Sequence, residues 1–289
     1  MFNKAYIALL RPQQYIKNLF VFAPLFFSFR FLEAEPLFKT CIAFAAFCLV
    51  ASSVYIFNDI KDISQDSRHP VKKHRPLPAG LISMPRAYLC MAFLLVAGLG
   101  LGLVLDWKIF FILVAYSLLN TLYTLKLKHV AVLDVFIIGT GFVLRIFAGA
   151  EAAMVQASMW IVLMTFLLAL FLALAKRRDD VLLFDEGRDV RRCIDGYTLE
   201  FVNVSMIIMA AVTLVSYILY TISPEVQERF DSRHLYLSAV FVLLGIMRYL
   251  QIVFVEEGGG NPTQVMLQDR FMQLSVAGWL LFFLILTLT

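Results

Sequence analysis

The sequence LFKTCIAFAAFCLVASSVYIF (residues 37–57) is apolar almost throughout, and NDIKDISQDSRHPVKKHRPLPAG (58–80) follows it directly. At 1.5 Å per residue, the first stretch is long enough to cross about 30 Å of hydrocarbon as one helix. The second stretch carries three aspartates and a run of basic residues, which belong in water or at the membrane surface. Together they predict a membrane-spanning helix that ends at a charged, solvent-facing site.

The composition indicates that the whole chain is a membrane protein. Its 289 residues are 61% hydrophobic and 16% charged, with a mean hydropathy of +0.81, which lies outside the usual range of soluble domains. We therefore predict an all-α, polytopic membrane protein with no nucleic-acid partner. No long linker interrupts the apolar segments, which indicates a single domain over residues 1–289. Nine transmembrane helices are predicted, at 18–32, 37–57, 87–105, 109–125, 132–150, 158–175, 201–222, 235–255 and 270–288.

The distribution of lysine and arginine predicts the orientation of these spans. Nineteen of these residues fall on one side of the predicted membrane and five on the other, and Arg145 lies within a span. Because basic connections tend to stay in the cytoplasm, we expect a cytoplasmic N-terminus, an external C-terminus and a cytoplasmic active site, in the inner (plasma) membrane. The five on the external side are Arg30, Lys39, Lys108, Arg229 and Arg233.

Three aspartates follow the second predicted span at a spacing that favours one face of a helix. If the helix continues, Asp59, Asp62 and Asp66 point at about 0°, 300° and 340°, within a sector about 60° wide. Like charges that close repel one another unless a cation neutralises them. Carboxylate oxygens that leave room for water and phosphate suit Mg²⁺. The spacing therefore predicts a magnesium site formed by these three carboxylates.

A basic loop comes next, and its prolines and glycine keep it out of helical conformation. Its cations can surround phosphate groups opposite the metal, as a departing diphosphate requires. The alternative is a solvated loop that only fixes the topology and contacts anionic lipid, but the neighbouring aspartates favour the phosphate site. The residues concerned are Arg68, Lys72, Lys73 and Arg75, with His69 and His74.

The segment N58-D59-I-K-D62-I-S-Q-D66 resembles the NDxxDxxxD motif of the UbiA superfamily of membrane prenyltransferases. Further stretches are similar, in the same order, to its decaprenyl-phosphate phosphoribosyltransferase branch. This resemblance implies nine transmembrane helices around a central cavity with a cytoplasmic cap. The stretches are RPQQYIKNLFVFAPL (11–25), NDIKDISQDSRHPVKKHRPLPAG (58–80), YTLKLKHVAVLDVFIIGTGFVLRIFAGA (123–150), LALAKRRDD (172–180) and RYLQIVFVEEGGGNPTQVMLQDR (248–270).

The resemblance also implies an activity. That branch transfers 5-phosphoribose from phosphoribosyl diphosphate to a polyprenyl phosphate of the decaprenyl type and releases diphosphate, with Mg²⁺ as cofactor. The residues it assigns to the metal and diphosphate are Asn58, Asp59, Asp62 and Asp66. Those it assigns to phosphate groups are Arg68, Lys72 and Arg75 in the loop, and Tyr123 and Lys128 at the end of the fourth span. For Tyr123 and Lys128 the alternative is an interfacial pair that anchors a helix end.

Two further charged sites are found in the sequence, one within a predicted span and one at the start of the first span. Arg145 follows Asp134 by eleven residues on one predicted helix, so both face the same way. The preferred interpretation is that this cation lines a wet cavity, and the alternatives are a structural ion pair or a helix-dipole contact. Lys17 and Asn18, at the start of the first span, are placed to reach a lipid phosphate.

The segment KRRDD (176–180) occupies the position of the superfamily's second motif. Lys176 and Arg177 are candidate ligands of the acceptor phosphate or the ribose phosphate, although a basic cluster that stops translocation is the alternative. The branch tends to have glutamate where this chain has Asp180, so the role of Asp180 stays open. Asp185 and Asp189 form a second DxxxD pattern, for which ordinary surface pairing is the preferred interpretation. The GGGNPT segment (258–263) is either a gate or a plain connection.

Two other functions compete with phosphoribosyl transfer. A secondary transporter tends to place its ionisable residues near the membrane midplane, whereas here only Arg145 is deep. An ordinary member of the superfamily would use the same aspartates to move a prenyl group to an aromatic or other acceptor. The dense basic sets favour two substrates that both carry phosphate. The prenyl chain length and the oligomeric state stay open.

Overall fold

The computed structural model describes residues 2–68, 71–185, 196–256 and 258–288. His69, Pro70 and Asp189, which belong to the predictions above, lie outside these residues. The described chain is α-helical with short 3₁₀ segments and contains no strand within those ranges. Its helices are α1 (Phe2–Leu10), α2 (Ala23–Phe27), α3 (Ala34–Lys61), α4 (Ile63–Asp66), α5 (Met84–Leu105), α6 (Trp107–Leu125), α7 (Leu133–Ala152), α8 (Met159–Asp185), α9 (Leu199–Ile222), α10 (Pro224–Phe230), α11 (Ala239–Phe254), α12 (Pro262–Gln268) and α13 (Arg270–Leu288).

Seven helical segments in the described ranges are long and apolar enough to cross a membrane. They are α3, α5, α6, α7, α8, α9 and α11 with the 3₁₀ turn Leu235–Ser238 before it. The pair α12 and α13, bent by 82°, makes an eighth if it is counted as one span. The protein is therefore a multi-pass membrane protein with an all-α fold, while the predicted number of nine helices is not confirmed.

The prediction of a continuous helix at 18–32 is wrong. This part of the chain consists of a 3₁₀ helix (Pro12–Phe22), the short α2 and a 3₁₀ turn (Arg30–Leu32). Arg11 before it and Phe29 within it have left-handed backbone angles, with φ of 53° and 59°, so no regular helix continues through either residue. A 3₁₀ helix of eleven residues is itself unusual.

The irregular segment nevertheless runs antiparallel along α3. The Tyr15 hydroxyl lies 2.8 Å from Ser52 Oγ, and further along the chain Asn18 Nδ2 lies 3.2 Å from Cys48 Sγ. The rings of Phe22 and Phe44 follow, with centroids 5.4 Å apart. As residue numbers rise in the first segment, they fall in α3. The segment therefore passes along the helix from its charged end towards its start.

Two compact units divide the chain. The first comprises Met1–Lys128 and Thr140–Ser158, and the second His129–Gly139 and Met159–Thr289. In the first unit, α3 packs on α5 and α6 around Phe47, Leu113 and Tyr116, and Gly98 lets α5 approach the backbone of α3 at Ala46 closely. In the second, α8, α9 and α11 share a core that includes Phe171 and Met206. The single domain remains a prediction.

Acidic neighbours pair the basic residues near the start of α3 and α6. Arg30 Nη2 lies 2.5 Å from Glu33, and Lys39 Nζ lies 2.7 Å from Glu35. Arg30 also donates to the backbone carbonyls of Ala153 and Met154, the residues that follow α7. Lys108 Nζ lies 3.1 Å from Glu151. Three of the five basic residues expected on the external side are therefore locally neutralised.

Candidate active site

The first unit gathers carboxylates and cations at the end of α3. Arg75 Nη1 lies 3.3 Å from Asp59 Oδ1 and 2.5 Å from Asp66 Oδ2, so one nitrogen bridges two buried carboxylates. Arg11 bonds to Asp59 from the N-terminal segment, and Lys72 Nζ lies 3.9 Å from Asp66. Residues distant in sequence thus converge on Asp59 and Asp66.

Asp62 faces a different partner from the other two aspartates. Its Oδ1 lies 2.5 Å from Lys128 Nζ, and its Oδ2 accepts a hydrogen bond from Asn58 at 3.1 Å. Thr124 then donates to Asn58 Oδ1 at 3.3 Å. The reason is that α3 ends at Lys61, and Asp62 has φ and ψ of −95° and 6°, outside the helical range. The expected single face for three carboxylates is therefore not formed.

The position between Asp59 and Asp66 fits a hard divalent cation. Among the residues that the structure describes, no group of three or more His, Cys, Asp or Glu side chains is arranged to hold a metal. The two carboxylates, however, already face one shared positive charge, the Arg75 guanidinium. One or two protein carboxylates, with water and phosphate oxygens completing the shell, are what Mg²⁺ usually takes. The role of all three aspartates as metal ligands stays a prediction.

Buried Leu77 anchors the basic loop. Leu77 packs with Leu9, Ile56 and Ile60, which holds the neighbouring Arg75 over the carboxylates. Lys72 is also part of the site through Asp66. By contrast, Arg68, Lys73 and His74 are exposed, and the structure does not place them on the carboxylates. Their role in phosphate binding stays a prediction, as does that of the half-buried Tyr123 on α6.

Arg145 is buried in the first unit among neutral groups. Its Nε donates to Asn18 Oδ1 at 2.8 Å, its Nη1 to the Gly141 carbonyl at 2.6 Å and its Nη2 to the Tyr116 hydroxyl at 3.0 Å. The guanidinium also lies over the rings of Phe47, Tyr116 and Phe142. Neither Asp134 nor any other described carboxylate pairs with it, so the structural ion pair considered above is not formed.

A second network of charged residues lies in the second unit. Arg177 is 1% exposed, donates to Asp134 Oδ2 at 2.5 Å and also bonds to Asp180. The Tyr197 hydroxyl donates to Asp134 Oδ1 at 2.6 Å and accepts from the Val132 amide at 2.7 Å. Burial and this bond to a carboxylate raise the pKa of Tyr197, so the phenol stays protonated. Two carboxylates thus already engage Arg177, which favours a positioning role over direct phosphate binding.

The other two basic residues of the second motif differ in their exposure to solvent. Lys176 is exposed, and its predicted role in phosphate binding is untested. Arg178 is buried, where it donates to Asn203 Oδ1 at 3.1 Å and to the Val253 carbonyl at 2.9 Å. It therefore joins α8 to α9 and to the end of α11, as a structural residue. The Gly-rich segment packs nearby, because Tyr249 donates to the Gly259 carbonyl at 3.0 Å.

Sequence reasoning missed Arg11 and Tyr197. Arg11 belongs to the RPQQYIKN stretch, in which the resemblance assigns no role to this residue. Its approach to Asp59 follows from the antiparallel path of the 3₁₀ helix, which no local pattern reveals. Tyr197 lies 63 residues from Asp134, and a single tyrosine near a helix start gives no signal of that partnership.

Comparisons with known proteins agree with this architecture. A family model described as the UbiA prenyltransferase family matches residues 19–183. The chain is 31% identical to a decaprenyl-phosphate phosphoribosyltransferase of Mycolicibacterium smegmatis, over 95% of this chain and 89% of that protein. It is also 31% identical to the protein of the same name from Corynebacterium glutamicum, over 94% of this chain and 83% of that one.

A solved structure shows the same fold at low sequence identity. The structure of a UbiA homolog from Archaeoglobus fulgidus bound to DMAPP and Mg²⁺ aligns with a TM-score of 0.73 and 18% identity, over 98% of this chain and 99% of that one. The family match and the near full-length relatives establish the classification. This multi-pass membrane protein is a transferase that belongs to the UbiA prenyltransferase family.

Proposed function

We propose that the protein transfers 5-phosphoribose from phosphoribosyl diphosphate to a polyprenyl phosphate and releases diphosphate. The observation that carries the proposal is the position of Arg75 Nη1, a cationic nitrogen 3.3 Å from Asp59 and 2.5 Å from Asp66. It marks a place where carboxylates, a cation and phosphate oxygens can meet. The relatives named decaprenyl-phosphate phosphoribosyltransferase support this choice of donor and acceptor.

The chemistry suits the residues at the site. An oxygen of the lipid phosphate attacks C1 of the ribose, and the C1–O bond to the diphosphate breaks with its electron pair leaving on the diphosphate. Mg²⁺, held by Asp59 and Asp66 with Asp62 and Asn58 nearby, would neutralise diphosphate oxygens. Arg75, Lys72 and Lys128 would stabilise the negative charge that develops there. The acceptor phosphate is already ionised at neutral pH, so no side chain has to remove a proton.

The remaining predicted residues take less direct roles in this proposal. Arg68 and Lys73 would meet the phosphates as the donor enters, since both are exposed on the loop. Tyr123, Lys176 and Asp180 are proposed to contact substrate, and Arg177 to hold Asp180 in place through their ion pair. Lys17 and Arg145 are proposed to bind a substrate phosphate.

The proposed location is the inner (plasma) membrane, with the N-terminus and the active site in the cytoplasm and the C-terminus outside. The excess of basic residues on the predicted cytoplasmic connections supports this orientation. So does the local pairing of Arg30, Lys39 and Lys108 with acidic neighbours. A water-soluble donor would then reach the site from the cytoplasm, and the lipid acceptor from the bilayer.

A transfer assay tests the proposal directly. Membranes containing the protein are incubated with phosphoribosyl diphosphate labelled in the ribose, Mg²⁺ and a polyprenyl phosphate. We expect label in the lipid phase, and its loss on chelation of Mg²⁺ or with Asp66→Asn. Asp231→Asn is the matched control, because Asp231 is exposed with a φ of 46° that asparagine also tolerates. No transfer to lipid by the unmodified protein would end the proposal.

The second candidate is transfer of a prenyl group from its diphosphate to an aromatic or other acceptor. The observation that favours it is the fold shared with a homolog solved with DMAPP and Mg²⁺. The same membranes, given a labelled prenyl diphosphate in place of the ribose donor, decide between the two. Turnover of the prenyl donor without turnover of the ribose donor would establish the second candidate.

A further inference from the structure

Two cations of the first unit are embedded without an acidic partner. Arg145 is 4% exposed, and its three hydrogen bonds all go to neutral oxygens. Lys17 is half-buried in the 3₁₀ helix and makes no hydrogen bond or ion pair within the described chain. The other buried cation described in the first unit, Lys128, is paired with a carboxylate, that of Asp62.

The position of Arg145 makes this isolation costly. Its guanidinium carbon lies 4.8 Å from the Tyr116 ring and 5.4 Å from the Phe47 ring, and these residues stand near the middle of α6 and α3. A charge at the centre of a spanning helix is expensive to bury, and aromatic faces offset only part of that cost. Lys17 interacts electrostatically with Arg145 and with Arg11. The like charges repel, so an anion between them would stabilise the arrangement.

These two cations lie next to the carboxylate site. Arg11 bonds to Asp59 and lies 5.4 Å from the centre of the Tyr55 ring, one helical turn earlier in α3. Tyr55 interacts electrostatically with both Arg11 and Arg145. Asn18, the residue after Lys17, bonds to Arg145 directly. Lys17 and Arg145 therefore lie on the inner side of Asp59, where a substrate anchored by its diphosphate would extend.

The charges in this region do not balance. Six cations of the first unit contact the carboxylates or lie in this inner region, against three carboxylates, which leaves a positive surplus even before a metal binds. A prenyl chain would need apolar walls here, whereas a phosphate monoester would bring about −1.5 to −2 charges. The cations are Arg11, Lys17, Lys72, Arg75, Lys128 and Arg145, and the carboxylates are Asp59, Asp62 and Asp66.

We propose that Lys17 and Arg145 form a binding site for a phosphate monoester, separate from the carboxylate site at Asp59 and Asp66. Lys17 contacts the phosphate, and Arg145 acts with it by adding positive charge and by holding Asn18 through the 2.8 Å hydrogen bond. The choice of ligand rests on the proposed function, in which two molecules carry this group. They are the donor, through its ribose 5-phosphate, and the lipid acceptor, through its polyprenyl phosphate.

Binding measurements on the purified full chain in detergent test the site without turnover. The probes are ribose 5-phosphate, ribose, diphosphate and a short-chain prenyl phosphate, each titrated by calorimetry in the presence of Mg²⁺. Lys17→Met removes the charge while keeping an unbranched side chain. Lys108→Met is the matched control, because Lys108 lies at the start of α6 and pairs with Glu151.

Loss of a hydrogen bond to a charged group predicts a clear effect. Lys17→Met should weaken one of the two phosphate monoesters about tenfold or more, while diphosphate binding changes less than about threefold. Weaker binding of ribose 5-phosphate alone assigns the site to the donor, and weaker binding of the prenyl phosphate alone assigns it to the acceptor. Unchanged binding of both monoesters, or an equal loss for diphosphate, overturns the proposal.

Variants at Arg145 separate charge from packing. Arg145→Lys keeps the positive charge and Arg145→Gln keeps a hydrogen-bond donor without it, so the lysine variant should retain more monoester affinity. Equal affinities in the two variants would contradict a role for the charge. Because these experiments follow binding, a phosphate site that depends on Lys17 can stand even if the transfer assay fails. Conversely, transfer of ribose phosphate without such a site would refute only this inference.

Discussion

Lys128 and Lys126 lie two residues apart and occupy very different environments. Lys128 is 8% exposed and bonds to Asp62 at 2.5 Å, whereas Lys126 is exposed. Lys128→Met removes a charge from the side of the site where negative charge develops and leaves Asp62 without its cation. We expect the maximal rate of transfer to fall about a hundredfold, as measured by label in the lipid phase.

The control for this change is Lys126→Met, which removes the same charge from the same connection. Its rate should stay within about twofold of the parent. If the two variants lose activity equally, the contribution of Lys128 is general surface charge, and its contact with Asp62 has no special role.

Tyr197 gives a prediction for the second unit that depends on pH. The folded protein keeps this phenol protonated because burial and the bond to Asp134 raise its pKa, whereas an unfolded chain loses the proton near pH 10. Above about pH 10 the unfolded state therefore binds fewer protons than the folded state, and stability falls as pH rises. The thermal midpoint should fall more steeply above pH 10 in the parent than in Tyr197→Phe. Parallel slopes would contradict the assignment.

The sequence identifies some residues of the site and not others for a physical reason. Asp59, Asp66 and Arg75 lie within seventeen positions of one another, so composition and spacing bring them together before any fold is known. The angular argument for Asp62 assumes that α3 continues beyond Lys61, whereas α3 ends there and Asp62 pairs with Lys128. Arg11 depends on a long-range path, and spacing carries no information about such paths.

At the scale of elements, Gly149 makes the contact between α7 and the 3₁₀ helix possible. A Cβ at this position would overlap the backbone carbonyl of Val21, which cannot move as a side chain would. Gly149→Ala should therefore cost about 1–3 kcal/mol through overpacking and lower the thermal midpoint in detergent.

Gly100 on α5 is the matched control for that change. A Cβ there meets no atom within 4 Å, and alanine favours a helix more than glycine does. Gly100→Ala should leave the thermal midpoint unchanged or slightly raised. A similar loss in both variants would show that glycine flexibility, and not the contact with Val21, matters at Gly149.

Helix positions were predictable where apolar length alone decides them. The windows at 37–57, 87–105 and 109–125 correspond to α3, α5 and α6, because a backbone in lipid must satisfy its own hydrogen bonds. The window at 18–32 is also largely apolar, but hydropathy does not distinguish α from 3₁₀ backbone. There the contacts of Tyr15, Asn18 and Val21 with other elements decide the conformation.

At the scale of the whole molecule, orientation in the membrane is the property to test. Ala34 and Ser67 are exposed, one at the start of α3 and the other beyond its end. In a background without native cysteines, Ala34→Cys should react with a membrane-impermeant maleimide on intact cells. Ser67→Cys should react only after the membrane is opened. The reverse pattern would invert the proposed topology, and labelling of both on intact cells would remove α3 as a span.

The fold class of the whole chain was predictable, but the side-chain contacts made when its helices pack were not. An apolar content of 61% fixes a helical membrane protein, and motif spacing directs attention to one end of α3. The network of Asp134, Arg177 and Tyr197 joins three separate parts of the sequence. Such side chains are recognised as partners only after the helices have packed, because packing sets the distances between them.

The 3₁₀ helix that accompanies α3 has a consequence for how such chains are counted. At about 2.0 Å per residue, its eleven residues reach roughly 22 Å, so a modest number of amino acids covers most of a bilayer. With the bent pair α12 and α13 counted as one span, a rule that registers only long α-helices passes over this segment and gives eight spans, which would put both chain ends in the same compartment. Counting the 3₁₀ segment as a ninth span would place the ends in opposite compartments, so whether the number of spans is odd or even then depends on the least regular stretch of the chain.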